Sequence, residues 1–206
     1  MKIILENTGR RFNKEWIFKN VNITFSSNEF YAILGSNGSG KSTFLQLISG
    51  FLMPSDGKIT YHNENEILQE EVYKQISIAS PALELFEDLT LEETIHFHFQ
   101  FKNIYRDQKL KQLPELFQLK GNEKKQLKNF SSGMKQRVKL GLAILSDTSI
   151  LLLDEPTSNM DKNGILWYQN LITKYTNNRI VLVASNKIED DYFFCQHKLE
   201  IETYKS

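Results

Sequence analysis

Residues 35–42 read Gly35-Ser36-Asn37-Gly38-Ser39-Gly40-Lys41-Ser42, a match to G-x-x-x-x-G-K-[ST]. Each position has a chemical reason. The glycines let backbone N–H groups turn inward and approach an anion closely. The segment that follows reads as a helix and aims its positive end at the same place. Lys41 reaches the outer phosphates, and the Ser42 hydroxyl is a Mg²⁺ ligand. Gly35, Ser36, Asn37, Gly38, Ser39, Gly40, Lys41, Ser42 and Thr43 are therefore expected to hold a nucleotide triphosphate, ATP with Mg²⁺.

A second cluster lies far downstream. Leu151-Leu152-Leu153-Asp154-Glu155-Pro156 puts two carboxylates at the end of a short apolar run. Ligands of open α/β sheets bind outside the carboxyl ends of the strands. Asp154 is placed to join the magnesium shell, and Glu155 to accept a proton from an attacking water.

These residues need elements to position them. Phe30-Tyr31-Ala32-Ile33-Leu34 is a short apolar run that stops at Gly35, and it reads as a buried strand. A helix over 41–49 follows, ended by Gly50 and Pro54. Residues 1–34 are β-rich, with Val21-Asn22-Ile23-Thr24-Phe25 alternating strictly. Composition predicts helix over 91–118, although Phe97, Phe99 and Phe101 alternate as in a strand. A helix over 132–146 begins at Ser131 or Ser132. Further elements are a strand at 150–153, a helix near 161–176, a strand at 180–184 and a final strand near 197–203. Strands alternating with helices predict an α/β fold with a parallel sheet, interrupted by a helical insertion.

Phe130-Ser131-Ser132-Gly133-Met134-Lys135-Gln136-Arg137 resembles the L-S-G-G-Q-x-Q-R signature of ATP-binding cassette (ABC) proteins. Ser131, Gly133, Gln136 and Arg137 match, and Phe130, Ser132 and Met134 depart. Ser158-Asn159-Met160-Asp161 looks like that family's D-loop. The resemblance implies a P-loop NTPase parallel-sheet core, an N-terminal antiparallel β subdomain and an inserted helical subdomain over about 82–146, all in one domain, 1–206. It implies that Ser131, Ser132 and Gly133 bind the γ-phosphate of ATP held by a second cassette. A helix start suits that anion. Asp161 would then communicate between the two sites, and the second ATPase subunit would make a homodimer or a heterodimer. Phe12, in Arg10-Arg11-Phe12-Asn13, stands where the family has an aromatic that stacks on adenine, with Trp16 as the alternative and plain packing as another.

Two positions depart from the family. No glutamine stands near Ser77-Ile78-Ala79-Ser80-Pro81, where the family's glutamine loop belongs. Ser80 or Pro81 takes the place, with Ser80 able to touch the magnesium shell and Glu84 nearby. The family's switch histidine is replaced by Asn186, which can donate a hydrogen bond to the γ-phosphate but cannot carry a proton away. Hydrolysis is expected to be slow but not absent. His96 and His98 lack a third ligand at metal spacing and read as structural, and His197 reads as a strand residue. Phe97, Phe99 and Phe101 are packing residues or an apolar docking patch for a membrane subunit.

Composition narrows the class. The 206 residues carry 25 Lys plus Arg and 25 Asp plus Glu, a net charge of zero. No basic excess argues for nucleic acid as a partner. A single cysteine, Cys195, precludes an internal disulfide and fits a reducing compartment. Met1-Lys2-Ile3-Ile4-Leu5-Glu6 meets charge too early for a signal peptide. No apolar run approaches the roughly 20 residues that span a bilayer. The expectation is a cytoplasmic ATPase subunit of an ABC transporter, held at the inner face of the membrane by an integral membrane transporter subunit and leaning toward export. The alternatives are a soluble ABC ATPase that remodels a protein or nucleic-acid complex, and a small-molecule phosphotransferase, which would have no use for residues 130–137.

Overall fold

The computed structural model describes residues 1–106 and 108–205. In chain order its elements are β1 (Lys2–Phe12), β2 (Glu15–Ser26), β3 (Phe30–Leu34), α1 (Lys41–Ile48), β4 (Asp56–His62), β5 (Glu66–Ile67), β6 (Ile76–Ala79), α2 (Leu91–His98), α3 (Leu113–Leu116), α4 (Ser132–Ile144), β7 (Ile150–Asp154), α5 (Lys162–Tyr175), β8 (Ile180–Ser185), α6 (Glu189–Tyr192) and β9 (His197–Glu200). They build two sheets. One is antiparallel, of order β2-β1-β4-β5, and the other runs β6-β7-β8-β3-β9, with every pairing parallel. This is the P-loop arrangement expected: a parallel core, an antiparallel β portion from the N-terminal strands, and helices α2–α4 inserted between β6 and β7.

The inner parallel strands β3, β7 and β8 are largely apolar because both faces are covered, whereas the edge strand β9, His197–Glu200, is mostly polar and more exposed. In β7, Leu151 and Leu153 pack into one core with Leu142, Trp167 and Tyr168, and Ile150 and Leu152 point into the other with Phe44 and Ile48. β8 divides in the same way, Val181 and Val183 against Ile180, Leu182 and Ala184. Each such side chain contributes roughly 1.5–3 kcal/mol when fully buried. The antiparallel sheet shows the alternation of a one-sided sheet, with Val21 and Phe25 buried and Asn22 and Thr24 exposed.

Two expectations fail here, and both failures have local causes. Helix over 91–118 is only partly realised. α2 opens on a capping box between Thr90 and Glu93 but ends at His98. Beyond it the backbone is spent on tertiary pairing: Tyr105 N–H donates to Leu145 O at 2.7 Å, and Asp147 N–H to Asn103 O at 2.8 Å. Pro114 cannot continue a helix from upstream, and it sits in the first turn of the new helix α3. The final strand stops at Glu200, and Ile201–Tyr204 forms a 3-10 turn instead. Ile201 is fully buried there. Asp107, within the expected helix, and Ser206, at the end of the expected domain, lie outside the described residues. Among the described residues no helix is long and apolar enough to cross a membrane.

α4 rests on Phe117 through Gly141. A Cβ at Gly141 would lie 2.2 Å from the Phe117 ring, which is fully buried and has nowhere to move. Helix propensity alone would make Gly141→Ala stabilising by about 1 kcal/mol. Overpacking reverses the sign, and the substitution is expected to destabilise by about 1–3 kcal/mol, read from the midpoint of urea unfolding.

Candidate functional site

Parallel pairing brings the candidate residues to one sheet edge. Leu34 of β3 pairs with Ser185 of β8, and Ala184 of β8 pairs with Asp154 of β7. Ala79 of β6 pairs with Leu153. The residues that step off these strands, Gly35, Asn186, Glu155 and Ser80, therefore emerge at the same sheet edge, from neighbouring strands about 4.8 Å apart.

The loop after β3 winds into α1. Gly40 is the N-cap residue with φ 105° and no side-chain cap, which leaves the first N–H groups of α1 free of side-chain partners. Gly38 has φ 75°, and a Cβ there would meet nothing within 4 Å, so its backbone faces open space. Lys41 is buried and donates to Gly35 O at 3.0 Å and Ser36 O at 3.1 Å. A cleft of 370 Å³ is lined by Ile17, Asn37, Gly38, Gly40, Lys41, Ser42, Thr43 and Glu155. Gly35, Ser36 and Ser39 form the back of the loop: Gly35 and Ser39 are buried, the Ser39 hydroxyl has no partner among the described residues, and Ser36 bonds to Glu202.

The acidic strand end gathers oxygen groups around Asp154. Asp154 is 5% exposed. Its carboxyl sits above the ordinary range because burial penalises the ion, an effect opposed by hydrogen bonds from the Ser42 and Ser80 hydroxyls and by the charge on Lys41. The Ser80 hydroxyl donates to Asp154 Oδ2 at 3.2 Å. One buried carboxylate with two hydroxyls is an oxygen donor set of the kind Mg²⁺ takes. The structure thus gathers Ser42, Asp154 and Ser80, the three expected metal ligands. Glu155 stands beside them with φ 48°, a strained value for a non-glycine residue. Its N–H donates to Ala184 O at 2.9 Å, and its Oε1 lies 4.0 Å from Lys41 Nζ.

Ser131 caps α4, accepting from Met134 N–H at 3.2 Å. Ser131, Ser132 and Gly133 line a second cleft of 530 Å³ with Arg137, Asn159 and Asp161. Asp161 caps α5 by accepting from Gly164 N–H at 2.7 Å and lies 3.9 Å from Arg137. The two clefts have no lining residue in common. Within one chain the structure brings together residues 37–43 with 154–155, and separately 131–133 with 161.

Phe12 lies at the tip of the β1–β2 hairpin, 44% exposed, with the Arg10 guanidinium 4.6 Å from its ring. It does not line the phosphate cleft. Ile17, further along β2, does. Trp16 packs on Gly9, where a Cβ would come within 2.8 Å of its ring. Asn186 is exposed beyond β8. His98 is structural: its Nε2 meets Ser146 Oγ at 2.8 Å, and burial, with Lys102 nearby, pushes its pKa down to about 4. Phe97 and Phe101 are exposed and join Phe86 in edge-to-face contacts, whereas Phe99 is partly buried against the core.

Three contributors escaped the sequence reading. Ile17 belongs to no motif. Glu202 contacts the loop from 166 positions away. Asp191, fully buried, accepts from Thr157 N–H at 2.9 Å, Thr157 Oγ1 at 2.6 Å and Ser185 Oγ. It ties the segment after Glu155 to the residue before Asn186. Only its place in the acidic run Glu189-Asp190-Asp191 marks it in the sequence, and such a run normally reads as a solvated surface.

Residues 18–158 match the family model described as ABC transporter. The chain is 30% identical over 162 residues to the spermidine/putrescine import ATP-binding protein PotA of Clostridium acetobutylicum, covering 77% of this chain and 46% of that protein. It is 27% identical over 196 residues to the uncharacterized ABC transporter ATP-binding protein YybJ of Bacillus subtilis, covering 95% and 90%. It thus spans about half the length of the first and most of the second. A structure of MJ0796, described as a dimeric bacterial ABC transporter cassette, superposes with a TM-score of 0.79 at 24% identity, covering 97% of this chain and 95% of that one. At that identity the likeness speaks for the fold.

Because burial raises the Asp154 carboxyl, the unfolded chain ionises there first as pH rises. Stability therefore falls through the ordinary carboxylate range and levels off once the folded group ionises too. Asp154→Asn is expected to be at least as thermostable as the parent at neutral pH without ligand, and to lack that part of the pH-dependent fall. If the oxygen groups around Asp154 hold Mg²⁺ with ATP, the stabilisation that pair would give the parent, about 2.7 kcal/mol at a hundredfold excess over Kd, is lost in the variant. Thermal melts with and without Mg²⁺ and nucleotide, across pH, read out both.

Proposed function

The chain belongs to the ABC transporter family, and on that premise we propose that it binds and hydrolyses ATP with Mg²⁺ as the ATPase subunit of a transporter. The observation that carries the reading is the convergence of Lys41, Ser42, Asp154 and Glu155 at the shared end of β3 and β7.

Phosphates would seat on the free N–H groups at the start of α1, over Gly38, with Lys41 leaving its two carbonyls to neutralise them. Ser42, Asp154 and Ser80 would hold Mg²⁺. When bound, the cation neutralises charge on the phosphates and orients them. Glu155, held at the cleft wall, accepts the proton of the attacking water. Asn186 donates a hydrogen bond toward the γ-phosphate without taking up a proton. Ile17 offers an apolar floor, and Phe12 an exposed ring face for adenine.

A second cassette completes the site. The signature cleft of Ser131, Ser132 and Gly133 shares no lining residue with the phosphate cleft of its own chain, so the helix start it presents would serve a nucleotide on a partner subunit, with Asp161 at the seam. A solved relative of the same fold is described as dimeric, which supports this pairing. The membrane-spanning part would be another chain, holding this one at the inner face of the membrane. The exposed Phe86, Phe97 and Phe101 give that chain an apolar surface to meet. Export is favoured by the Ser-Ser-Gly-Met variant of the signature, and import by the names of several relatives; the membrane partner decides between them. A soluble remodelling ATPase is the second reading, and co-purification with membranes discriminates the two.

Glu155→Gln is expected to lower ATP turnover by about a hundredfold or more while retaining nucleotide binding. Turnover equal to the parent removes Glu155 from the chemistry. Asn186→His is expected to accelerate turnover; an unchanged rate places the asparagine outside the site. Phe97→Ala with Phe101→Ala is expected to weaken recovery of the chain in the membrane fraction while leaving soluble ATPase activity within about twofold.

A further inference from the structure

The turn after β9 reaches the phosphate loop. Ile201 is fully buried, with Cγ2 3.0 Å from where a Cβ on Gly35 would stand, so the turn is wedged under the first residue of the loop. The next side chain, Glu202, accepts the Ser36 N–H at 3.0 Å through Oε1, and the same oxygen accepts the Ser36 hydroxyl. These two bonds hold its carboxyl below the ordinary range.

The peptide between Gly35 and Ser36 is therefore held from both sides. Its C=O accepts from Lys41 Nζ at 3.0 Å, and its N–H donates to Glu202. A carboxylate on the N–H polarises the peptide and strengthens its carbonyl as an acceptor. The loop lysine is thus parked on a carbonyl that Glu202 fixes in place. Glu200, two residues earlier, pairs with Lys187 at 3.1 Å, beside Asn186. One turn touches both the phosphate loop and the segment after β8.

We propose that Glu202 is a positioning residue for nucleotide binding: it pre-orders the Gly35–Ser36 peptide so that Lys41 can exchange a carbonyl for a phosphate without the loop rearranging. This rests on residues 35–42 being the nucleotide site. Without Glu202 the ordering cost falls on the nucleotide, so affinity drops while the chemical step, carried by other residues, does not.

The experiment compares the parent chain with Glu202→Ala, Glu202→Gln and Lys41→Ala. Affinity for a non-hydrolysable ATP analogue with Mg²⁺ is measured by calorimetry, and turnover at saturating ATP beside it. Glu202→Ala is expected to bind about tenfold more weakly with turnover within about twofold of the parent. Glu202→Gln, whose amide oxygen still accepts the Ser36 N–H, should recover most of the affinity. If Glu202→Ala binds as the parent does while Lys41→Ala does not bind, the role of Glu202 is overturned and the nucleotide site stands. If Glu202→Ala loses turnover rather than affinity, or if the glutamine variant rescues nothing and both melt early, the role is overturned as well. Failure of the parent itself to bind the analogue overturns the site reading and this inference together.

Discussion

Everything at the site depends on parallel strands held in register. A parallel sheet cannot return by a tight hairpin, so its neighbouring strands come from distant parts of the sequence. β8 lies between β3 and β7, and the pairs Leu34 with Ser185 and Ala184 with Asp154 align their carboxyl ends. Lys41 and Glu155, 114 positions apart in the chain, come to 4.0 Å for that reason. The register is protected by burial on both faces, since a slip of one residue would exchange the two cores on either side of β7 and β8.

This arrangement places opposed charges at a poorly solvated edge. Asp154 is buried enough that its ionised form is penalised, yet two hydroxyls and Lys41 stand ready to stabilise it. Lys41, itself buried, is satisfied by two carbonyls. Each group is held by weak, neutral or distant partners that a phosphate or a divalent cation can replace. Had Lys41 and Asp154 been locked in a direct ion pair, a nucleotide would have to break it, and separating a buried pair is costly. The carbonyls of Gly35 and Ser36 are the gentler alternative.

What could be read from the chain alone follows how local each feature is. The loop from Gly35 to Ser42 and the pair Asp154-Glu155 are contiguous, and their neighbours Leu34 and Leu153 announce buried strands, so the chemistry and its sheet edge were legible together. The start of α4 was legible because Ser131 is its own cap. Ile17, Asp191 and Glu202 act across the fold, and no spacing rule reaches them. The helix over 91–118 was misread because composition favoured helix while Pro114 and the pairing of Tyr105 with Leu145 divided it. The last strand was misread because an apolar Ile201 looks the same whether it continues a strand or plugs the floor beneath a loop. Ser80 shows the opposite case: its departure from the family glutamine was visible, but its bond to Asp154 required the structure.

The stretch from Asp154 to Asp161 joins the two clefts within one chain. It begins at Asp154, the last residue of β7, passes Glu155 in the cleft with Lys41, and is tied down at Thr157 by the buried Asp191. Two residues on, the Asn159 carbonyl lies so near Gly133 that a Cβ there would come within 3.0 Å of it. The stretch ends at Asp161, which caps α5 and faces Arg137 in the signature cleft. Five residues, 156–160, thus separate Glu155 from Asp161 in the signature cleft, and they are pinned at Thr157 rather than free. Asp191 also holds Ser185, the residue before Asn186. One buried carboxylate therefore ties the residues beside Glu155 and Asn186 to each other, within the segment that borders the other cleft.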